Sequence, residues 1–226
     1  MLEDIVMEKA GPYVFHTRPD TLDHFVIREN FGSKQYLKYI GHHLDAEDVW
    51  IDAGAHIGAF AVSIAEVVNK IVCFEPRRDN FGLLKKNIRI NKLKNVTVIN
   101  AALVGNNDIT RDIFSHEGKN TGSHSFMPIR GRYANAVRCV NFDAMLREHG
   151  ANKIKMDIEG AEYELLYATK MWKHIDEIIM EFHPEQLHDK DLSMFRHVLA
   201  LLEKNGFKTE YHPVRNFSQV IIHAKK

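Results

Sequence analysis

The amino-acid sequence predicts a doubly wound α/β fold, in which helices cover both faces of a mostly parallel sheet. Short apolar runs alternate with segments of helical periodicity from residue 49 onward, and the connections between them are short. The chain has 226 residues, of which 45% are hydrophobic, and this suffices for one large core. We expect one α/β domain over residues 46–226 and an N-terminal extension, residues 1–45, packed on its core.

The predicted elements run from a first strand at residue 49 to a C-terminal hairpin. In order they are a strand Val49–Asp52, a helix at about 59–68, a strand Lys70–Glu75, a helix at about 78–91, a strand Val96–Ile99, two strands Ile109–Phe114 and Ala136–Asn141, a helix Phe142–His149, a strand Lys153–Asp157, a helix at about 161–168, a strand Glu177–Phe182, a helix at about 192–204, and two strands Phe207–Tyr211 and Phe217–His223. Gly206 is placed to end the last helix. The final hairpin adds an antiparallel strand to the sheet.

One segment breaks the alternation, a connection of about twenty residues between the strands that end at Phe114 and begin at Ala136. Connections of this length inside a compact domain are uncommon and are usually functional. Two interpretations stay open, a solvated excursion or a cover over a ligand or acceptor. The connection carries basic, aromatic and imidazole side chains, among them Arg130, Arg132, Phe126, Tyr133, His116 and His124.

Composition excludes several classes of protein. Thirty Lys and Arg balance thirty Asp and Glu, which argues against a dedicated nucleic-acid binder. Cys73 and Cys139 lie in apolar runs without metal-ligand spacing, so we expect buried thiols. The acidic segment 1–8 does not resemble a targeting peptide, and the apolar stretch 57–68 is shorter than the ~20 residues that cross a bilayer. We expect a soluble, cytoplasmic protein with no membrane insertion.

A glycine turn after the first strand indicates a nucleoside site. Gly54 lets the backbone turn and approach a ligand, and Gly58 permits close packing of helix on strand. Glu75 follows Gly54 by twenty-one residues, at the end of the second strand, where a carboxylate can accept hydrogen bonds from both hydroxyls of a ribose. Such sites lie beyond the carboxyl ends of the strands.

The residues within the turn favour a cationic nucleoside over a dinucleotide. A dinucleotide fingerprint would require glycine at position 56, where this chain has His56. Asp52 would repel a pyrophosphate but suits the ammonium and sulfonium of S-adenosylmethionine. A purely structural role for Asp52 and Glu75, as a turn cap and as the residue before Pro76, stays open. An NAD-dependent oxidoreductase is disfavoured by His56 and Asp52.

Five motifs in order resemble the FkbM family of S-adenosylmethionine-dependent O-methyltransferases, over residues 48 to 185 and more weakly from 20 to the C-terminus. The family usually has Asn where this chain has His56. The motifs are Asp52–Gly58, Phe74–Pro76 followed by Asn80, Asn100–Leu103, Ile154–Glu162 and Glu181–Pro184.

The resemblance implies a Rossmann-like methyltransferase sandwich with a seven-stranded, mostly parallel sheet, and S-adenosyl-L-methionine as cofactor. It places Asp52, Gly54 and Gly58 at the methionine moiety, with His56 in the same turn. It assigns the ribose to Glu75 and the surroundings of the adenine to Asn100 and Ala101. Asn80 either joins this site or is an ordinary residue of the second helix.

The acceptor side of the site is expected at the ends of two later strands. Methyl transfer to a hydroxyl needs a positioned base, and Asp157, Glu181 and His183 are the candidates. Lys155 joins them as a candidate catalytic residue, or it neutralises Asp157 or Glu159. Glu162 is expected to have a structural role in the first turn of its helix.

A metal site is also compatible with these residue types, since carboxylates and one imidazole suit Mg²⁺ or Mn²⁺. The residues concerned are Asp157, Glu159, Glu181 and His183. The resemblance does not require a metal, and we expect none.

The resemblance implies a hydroxyl-bearing acceptor, with a saccharide in a glycan or glycoside as the first expectation. An RNA 2′-hydroxyl stays open because of the basic connection 115–136, as does a non-catalytic nucleoside-binding module. Residues 1–45 either close the acceptor site or form a homodimer.

Overall fold

The computed structural model describes residues 5–115, 124–125, 133–184, 192–214 and 218–226. The strands are β1 (Val6–Ala10), β2 (Tyr13–Thr17), β3 (Val49–Ala53), β4 (Lys70–Phe74), β5 (Val96–Ile99), β6 (Ala102–Val104), β7 (Thr110–Ser115), β8 (His124–Ser125), β9 (Tyr133–Asn141), β10 (Lys153–Met156), β11 (Glu177–Phe182), β12 (Lys208–Val214) and β13 (Gln219–Lys225). The α-helices are α1 (Asp23–Ile27), α2 (Leu37–Ile40), α3 (Ala59–Ile64), α4 (Arg78–Ile90), α5 (Phe142–His149), α6 (Glu162–Ala168) and α7 (Ser193–Lys204). A π-helical turn, Arg28–Gly32, follows α1, and a 3₁₀ turn, Trp172–His174, follows α6.

The central sheet has seven strands in the order β12-β13-β11-β10-β3-β4-β5. Strand β3 pairs in parallel with both β4 and β10, whereas β13 is antiparallel to β11 and to β12. The predicted doubly wound sheet with a C-terminal antiparallel strand is therefore confirmed. The chain moves outward from β3 to β5 and returns on the other side of β3 with β10, so the strand order reverses between β3 and β10. A crevice for ligands is expected at the carboxyl ends of these two strands.

The residues of β3 alternate between two buried layers. Ile51 belongs to the hydrophobic cluster that contains Leu165 of α6. Trp50 faces the opposite side of the sheet, where its ring meets that of Phe60 in α3 at a centroid distance of 5.7 Å. Both faces of this strand are covered, which explains why its sequence is almost continuously apolar.

Most predicted boundaries agree with the structure to within one or two residues, but the helix predicted at 59–68 ends at Ile64. The amide of Asn95 donates to the carbonyl oxygens of Ala65 and Val68, at 2.8 and 2.9 Å. These side-chain bonds satisfy carbonyls that helical bonds would otherwise use. Gly206 follows α7 with φ +90°, as expected for a residue that ends a helix.

The segment 5–45 contains a β1–β2 hairpin, α1 and α2. Phe15, Ile27 and Ile40 are fully buried in the hydrophobic cluster that also contains Trp50 and Phe60. The segment therefore shares a core with β3 and α3. The division of the chain at residue 45 stays a prediction.

A smaller sheet has the order β6-β9-β7-β8, and its strands β7 and β9 pair antiparallel. These are the two strands predicted on either side of the long connection. The connection's residues His116, Phe126, Arg130 and Arg132 lie outside the described residues, as do the side chains of His124 and Tyr133. Cys73 and Cys139 are free, buried thiols, in agreement with the prediction. In the described ranges, no helix is long and apolar enough to cross a membrane.

Candidate active site

A cavity of about 370 Å³ opens beyond the carboxyl ends of β3 and β10, where the strand order reverses. Its volume falls within the ordinary range for small-molecule sites. The walls come from the turn after β3, the end of β4, the loop after β10, the end of β11 and the segment 22–36.

The turn after β3 runs against the loop after β10. A Cβ on Gly54 would lie 1.9 Å from the carbonyl oxygen of Asp157, and Gly54 has φ +76°, so only glycine fits. His56 also has a left-handed backbone, with φ +50°. Asn and His are both enriched in this conformation, which explains how histidine can stand where the family usually has Asn. Gly58 lies against Leu84 of α4, where a Cβ would approach within 2.7 Å.

Glu75 is a buried carboxylate on the cavity wall. Its Oε2 accepts a hydrogen bond of 2.9 Å from the backbone N–H of His56, and its Oε1 accepts one of 2.9 Å from that of Arg77. Burial raises the pKa of Glu75 to about 7, although the two hydrogen bonds favour the ionised form and oppose this rise. A carboxylate offers about four lone-pair positions, so Glu75 retains acceptor capacity for ribose hydroxyls.

Asp52 does not reach the cavity, contrary to the expectation that it faces the cofactor. It is fully buried, and its Oδ1 lies 3.2 Å from Nζ of Lys155, its neighbour across the β3–β10 pair. Desolvation raises the pKa of Asp52, while Lys155 opposes that change. Lys155 itself borders the cavity and donates to the carbonyl of Gly54 at 2.9 Å. The cation and Asp52 therefore form a support behind the glycine turn.

Asn80 lines the cavity beside Glu75 and is held by an arginine that the sequence did not single out. Arg18 is buried, and its Nη2 donates to Asn80 Oδ1 at 2.7 Å and to Asp23 Oδ1 at 2.8 Å. Asp23 lies 3.6 Å from Nε2 of His56, whose pKa burial lowers to about 4. The imidazole of His56 is therefore neutral near pH 7.

Asn100 does not line the cavity. Its amide donates to the carbonyls of Glu75 and Pro76, at 2.8 and 3.0 Å, and so fixes the turn after β4. Ala101 does line the cavity, together with Phe74 and Leu103, in an apolar wall next to Glu75. An apolar slot beside a carboxylate suits the base and ribose of a nucleoside.

The part of the cavity wall formed by the loop after β10 and the end of β11 is acidic. Asp157, Glu159 and Glu181 line it, and the side chain of Asp157 is 32% exposed. Glu162 is fully buried behind them and accepts hydrogen bonds from the backbone N–H groups of Ile158 and Gly160, both at 2.9 Å. Glu162 therefore has the structural role expected of it and shapes the loop after β10.

His183 lies behind the cavity wall, 2% exposed. Its Nδ1 lies 3.1 Å from Oε1 of Glu162, and its Nε2 faces Asp157, Glu159 and Glu181. Burial alone would lower the pKa of His183, but the surrounding carboxylates raise this pKa well above 6.5. The position of this imidazole favours Asp157 and Glu181 over His183 as the group that meets an acceptor.

The segment before β3 supplies two donors to the acidic part of the wall that sequence analysis missed. The hydroxyl of Tyr36 donates to Asp157 Oδ2 at 3.1 Å, and the amide of Gln35 donates to Glu181 Oε2 at 2.7 Å. Burial and the neighbouring Asp157 raise the pKa of Glu181 to about 8. These partners are 121 and 146 residues apart in the chain, so no local pattern signals them.

The donor set fits a cationic nucleoside. The backbone N–H of His56, at the turn where a pyrophosphate would bind, already donates to Glu75. Carboxylates line the cavity both at Glu75 and in the acidic part of the wall, which favours the sulfonium and ammonium of S-adenosylmethionine and disfavours a phosphate.

Comparison with solved structures shows that methyltransferases share the fold of this chain. The FkbM methyltransferase of Methylobacillus flagellatus KT is 15% identical, with a TM-score of 0.58, and the match covers 84% of this chain and 46% of that chain. TYW2 of M. jannaschii, solved in complex with AdoMet, is 18% identical, with a TM-score of 0.55 over 100% of this chain and 87% of that chain. An rRNA methylase from Streptococcus thermophilus is 12% identical, with a TM-score of 0.52 over 93% and 97%.

At these identities the structures show a shared fold. No curated protein matches the sequence. The profile of the methyltransferase FkbM domain, however, matches residues 52–209, well over half of the chain and including every motif from the glycine turn to β11. The chain therefore belongs to the FkbM methyltransferase family, whose methyl donor is S-adenosylmethionine.

Proposed function

We propose that this protein transfers a methyl group from S-adenosylmethionine to a hydroxyl oxygen of a saccharide, in a glycan or glycoside. The observation that carries the proposal is that one cavity brings together two groups of residues. The first group, the donor end, joins the carboxylate of Glu75 to an apolar wall, and the second, the acceptor end, presents Asp157 and Glu181 with their donors Tyr36 and Gln35.

The donor end has residues for each part of the cofactor. Glu75 would accept hydrogen bonds from the ribose, Phe74 and Ala101 would border the adenine, and the turn Gly54–His56 would border the methionine part. Bound S-adenosylmethionine supplies an electrophilic methyl group on a sulfonium. Asp52 would act on this end only through Lys155, because it does not line the cavity.

The acceptor end supports proton removal from an alcohol. The acceptor oxygen forms the new C–O bond as the C–S bond of the methyl sulfonium breaks, the neutral thioether leaves, and the hydroxyl proton passes to a base. A positioned base is worth ~10²–10⁴-fold in rate. Asp157 is the more exposed carboxylate, and the hydroxyl of Tyr36 fixes one of its oxygens at 3.1 Å. Glu181 is more deeply buried and is fixed by Gln35 at 2.7 Å. We assign deprotonation of the acceptor to Asp157 and its orientation to Glu181, because the raised pKa of Glu181 leaves that carboxyl group largely protonated near pH 7.

The charge of this end supports a neutral saccharide over an RNA. Asp157, Glu159, Glu181 and Glu29 all border the cavity there. Carboxylates accept hydrogen bonds from several sugar hydroxyls, but they repel the phosphates of a nucleic-acid backbone. The basic connection 115–136 kept the RNA alternative open. It lies largely outside the described residues, so it supports neither the saccharide nor the RNA as acceptor.

Calorimetric titration of S-adenosylmethionine into three proteins tests the proposal. We expect micromolar binding to the wild type and to the control Glu164→Gln, whose carboxylate pairs with Arg111 away from the cavity. We expect at least a tenfold loss in Glu75→Gln. A set of neutral saccharides is then incubated with protein and cofactor, and O-methylated product is detected by mass spectrometry and NMR. Product on nitrogen or carbon, or cofactor binding equal in Glu75→Gln, would contradict the proposal.

A further inference from the structure

One nitrogen in the described part of the chain is buried without a hydrogen-bond partner and faces a group of carboxylates. It is Nε2 of His183, a residue that is 2% exposed. The nearest oxygens are Oδ1 of Asp157 at 3.9 Å, Oε2 of Glu159 at 3.8 Å and Oε1 of Glu181 at 3.8 Å. All three are too distant for a hydrogen bond. Burial of a polar nitrogen in this state has a free-energy cost that something else must offset.

The other ring nitrogen of His183 is fixed. Nδ1 lies 3.1 Å from Oε1 of the fully buried Glu162, so this carboxylate holds the ring with Nε2 turned toward the three oxygens. A carboxylate behind one imidazole nitrogen is the arrangement that orients metal-binding histidines and raises their basicity.

The same Glu162 also holds the loop that carries two of the oxygens. It accepts from the N–H groups of Ile158 and Gly160, which bracket Glu159. Glu159 has φ +54°, a left-handed backbone that is unfavourable for a residue with a Cβ. Strained residues of this kind concentrate at ligand sites. Glu162 thus fixes both the ring and the loop that face each other.

We propose that Asp157, Glu159 and His183 bind a divalent cation, with Glu181 beside it, at the acceptor end of the cavity. The three donor atoms lie within 4.8 Å of one another. Ligand atoms bound at about 2.1 Å are about 3.0 Å apart when adjacent in an octahedron and about 4.2 Å apart when opposite. The separations from Nε2 are 3.8–3.9 Å, and the two carboxylate oxygens are at most 4.8 Å apart, so the side chains must close on the ion by about 1 Å.

The donor set selects the class of ion. Two carboxylates suit Mg²⁺ and Mn²⁺, and an imidazole adds preference for a first-row transition ion, so Mn²⁺ is the appropriate probe. Three protein ligands leave positions open on the cavity side, where Asp157 and Glu159 border free space. Binding of the ion does not depend on the proposed function. The further step, coordination of the acceptor hydroxyl, does rest on it. This proposal departs from the expectation from sequence that the site needs no metal.

Mn²⁺ titration followed by electron paramagnetic resonance tests the site in the full chain. We expect saturable binding to the wild type, with nitrogen coupling from His183 in the pulsed spectrum. Glu159→Gln should weaken binding at least tenfold, and His183→Gln should also abolish the nitrogen coupling. Glu162→Gln should weaken binding about 10–100-fold, as for other residues that orient a metal-bound histidine. The controls Glu164→Gln and His197→Gln remove the same groups elsewhere and should bind as the wild type does.

Three results would overturn the proposal: no saturable Mn²⁺ binding to folded wild type, equal binding in Glu159→Gln and Glu164→Gln, or a bound ion without nitrogen coupling. If His183→Gln does not fold, Glu159→Gln still tests the site. Glu159 lies on a half-buried loop, so we expect this variant to fold. Titration of S-adenosylmethionine into the same proteins separates the two proposals. Cofactor binding without Mn²⁺ binding refutes only the metal site, and the reverse refutes only the proposed function.

Discussion

Glu75 shows at the scale of one residue how burial sets chemistry. Its carboxyl group is buried and accepts hydrogen bonds from two backbone N–H groups. Burial raises its pKa from 4.5 to about 7. Between these pH values the folded chain holds a proton at Glu75 that the unfolded chain has released. The free energy of unfolding therefore falls as pH rises from about 4.5 to about 7, and the loss is complete above that range.

We predict that ionisation of Glu75 lowers the free energy of unfolding by about 3 kcal/mol between pH 4.5 and pH 7.5, from the pKa difference. The prediction is checked by urea unfolding of the wild type and of Glu75→Gln across this range. The amide of Glu75→Gln cannot ionise. The substitution should therefore change the free energy of unfolding by an amount that does not depend on pH, and this free energy should vary less with pH than in the wild type. Parallel profiles for the two proteins would show that Glu75 does not titrate in this window.

Arg18 and Asp23 act at the scale of elements, because they join the segment before β3 to α4. Arg18 donates to both oxygens of Asp23 and to Asn80 of α4, and the two ion-paired side chains are 4% and 0% exposed. Removal of one partner leaves the other charge buried, which typically costs about 3–5 kcal/mol.

We predict that Asp23→Asn destabilises the protein by about 3 kcal/mol or more and weakens binding of S-adenosylmethionine, since Arg18 positions Asn80 on the cavity wall. Asp79→Asn is the matched control. Asp79 also pairs with Arg18, but its side chain is 42% exposed, so we expect a loss of less than about 1 kcal/mol. Urea unfolding measures both variants. Equal losses of unfolding free energy in the two variants would mean that the buried Arg18–Asp23 pair stabilises the protein no more than the exposed Arg18–Asp79 pair does.

The success of sequence analysis at this scale depended on local pattern. Among the strands of the central sheet, β3, β4, β5, β10 and β11 were predicted because each is a compact apolar run, and β5 and α5 have the predicted boundaries. The short strands β6 and β8 were not predicted. The β1–β2 hairpin was missed because its first strand exposes Val6 and Met7 and so lacks a buried face.

Glu75 and Asp157, which the glycine turn and the strand ends indicated, both line the cavity, and their roles stay predictions. Asp52 was misplaced because its partner Lys155 is set by the β3–β10 register, which no local pattern reveals. Tyr36 and Gln35 were missed for the same reason.

At the scale of the whole molecule, the two ends of the sheet hold buried charges in different balance. At the amino end, Nζ of Lys153 contacts Asp48 and Glu177, both at 2.9 Å, and His223 contacts Glu177 at 2.7 Å. At the carboxyl end, several carboxylates surround His183 without a contact of that length at Nε2. Balanced pairs are typical of structure, whereas an excess of one charge in a cleft is typical of a functional site.

The segment before residue 46 bears on the whole molecule, because it provides part of the core as well as part of the acceptor end. Phe15, Ile27, Tyr36 and Ile40 are each at most 3% exposed and belong to one cluster with Trp50. Burial of each such side chain contributes about 1.5–3 kcal/mol. Their sum is comparable to the entire stability of a typical domain, about 5–15 kcal/mol.

We therefore predict that a chain of residues 46–226 does not fold to a stable state and that the full chain unfolds in one transition. Circular dichroism and binding of a hydrophobic dye measure both proteins. Phe25→Ala in the full chain is the control, since Phe25 belongs to the same segment but is 51% exposed and should cost little. If residues 46–226 unfold cooperatively and bind S-adenosylmethionine as the full chain does, the first 45 residues are an extension on an autonomous domain, and the shared cluster contributes much less than its burial indicates.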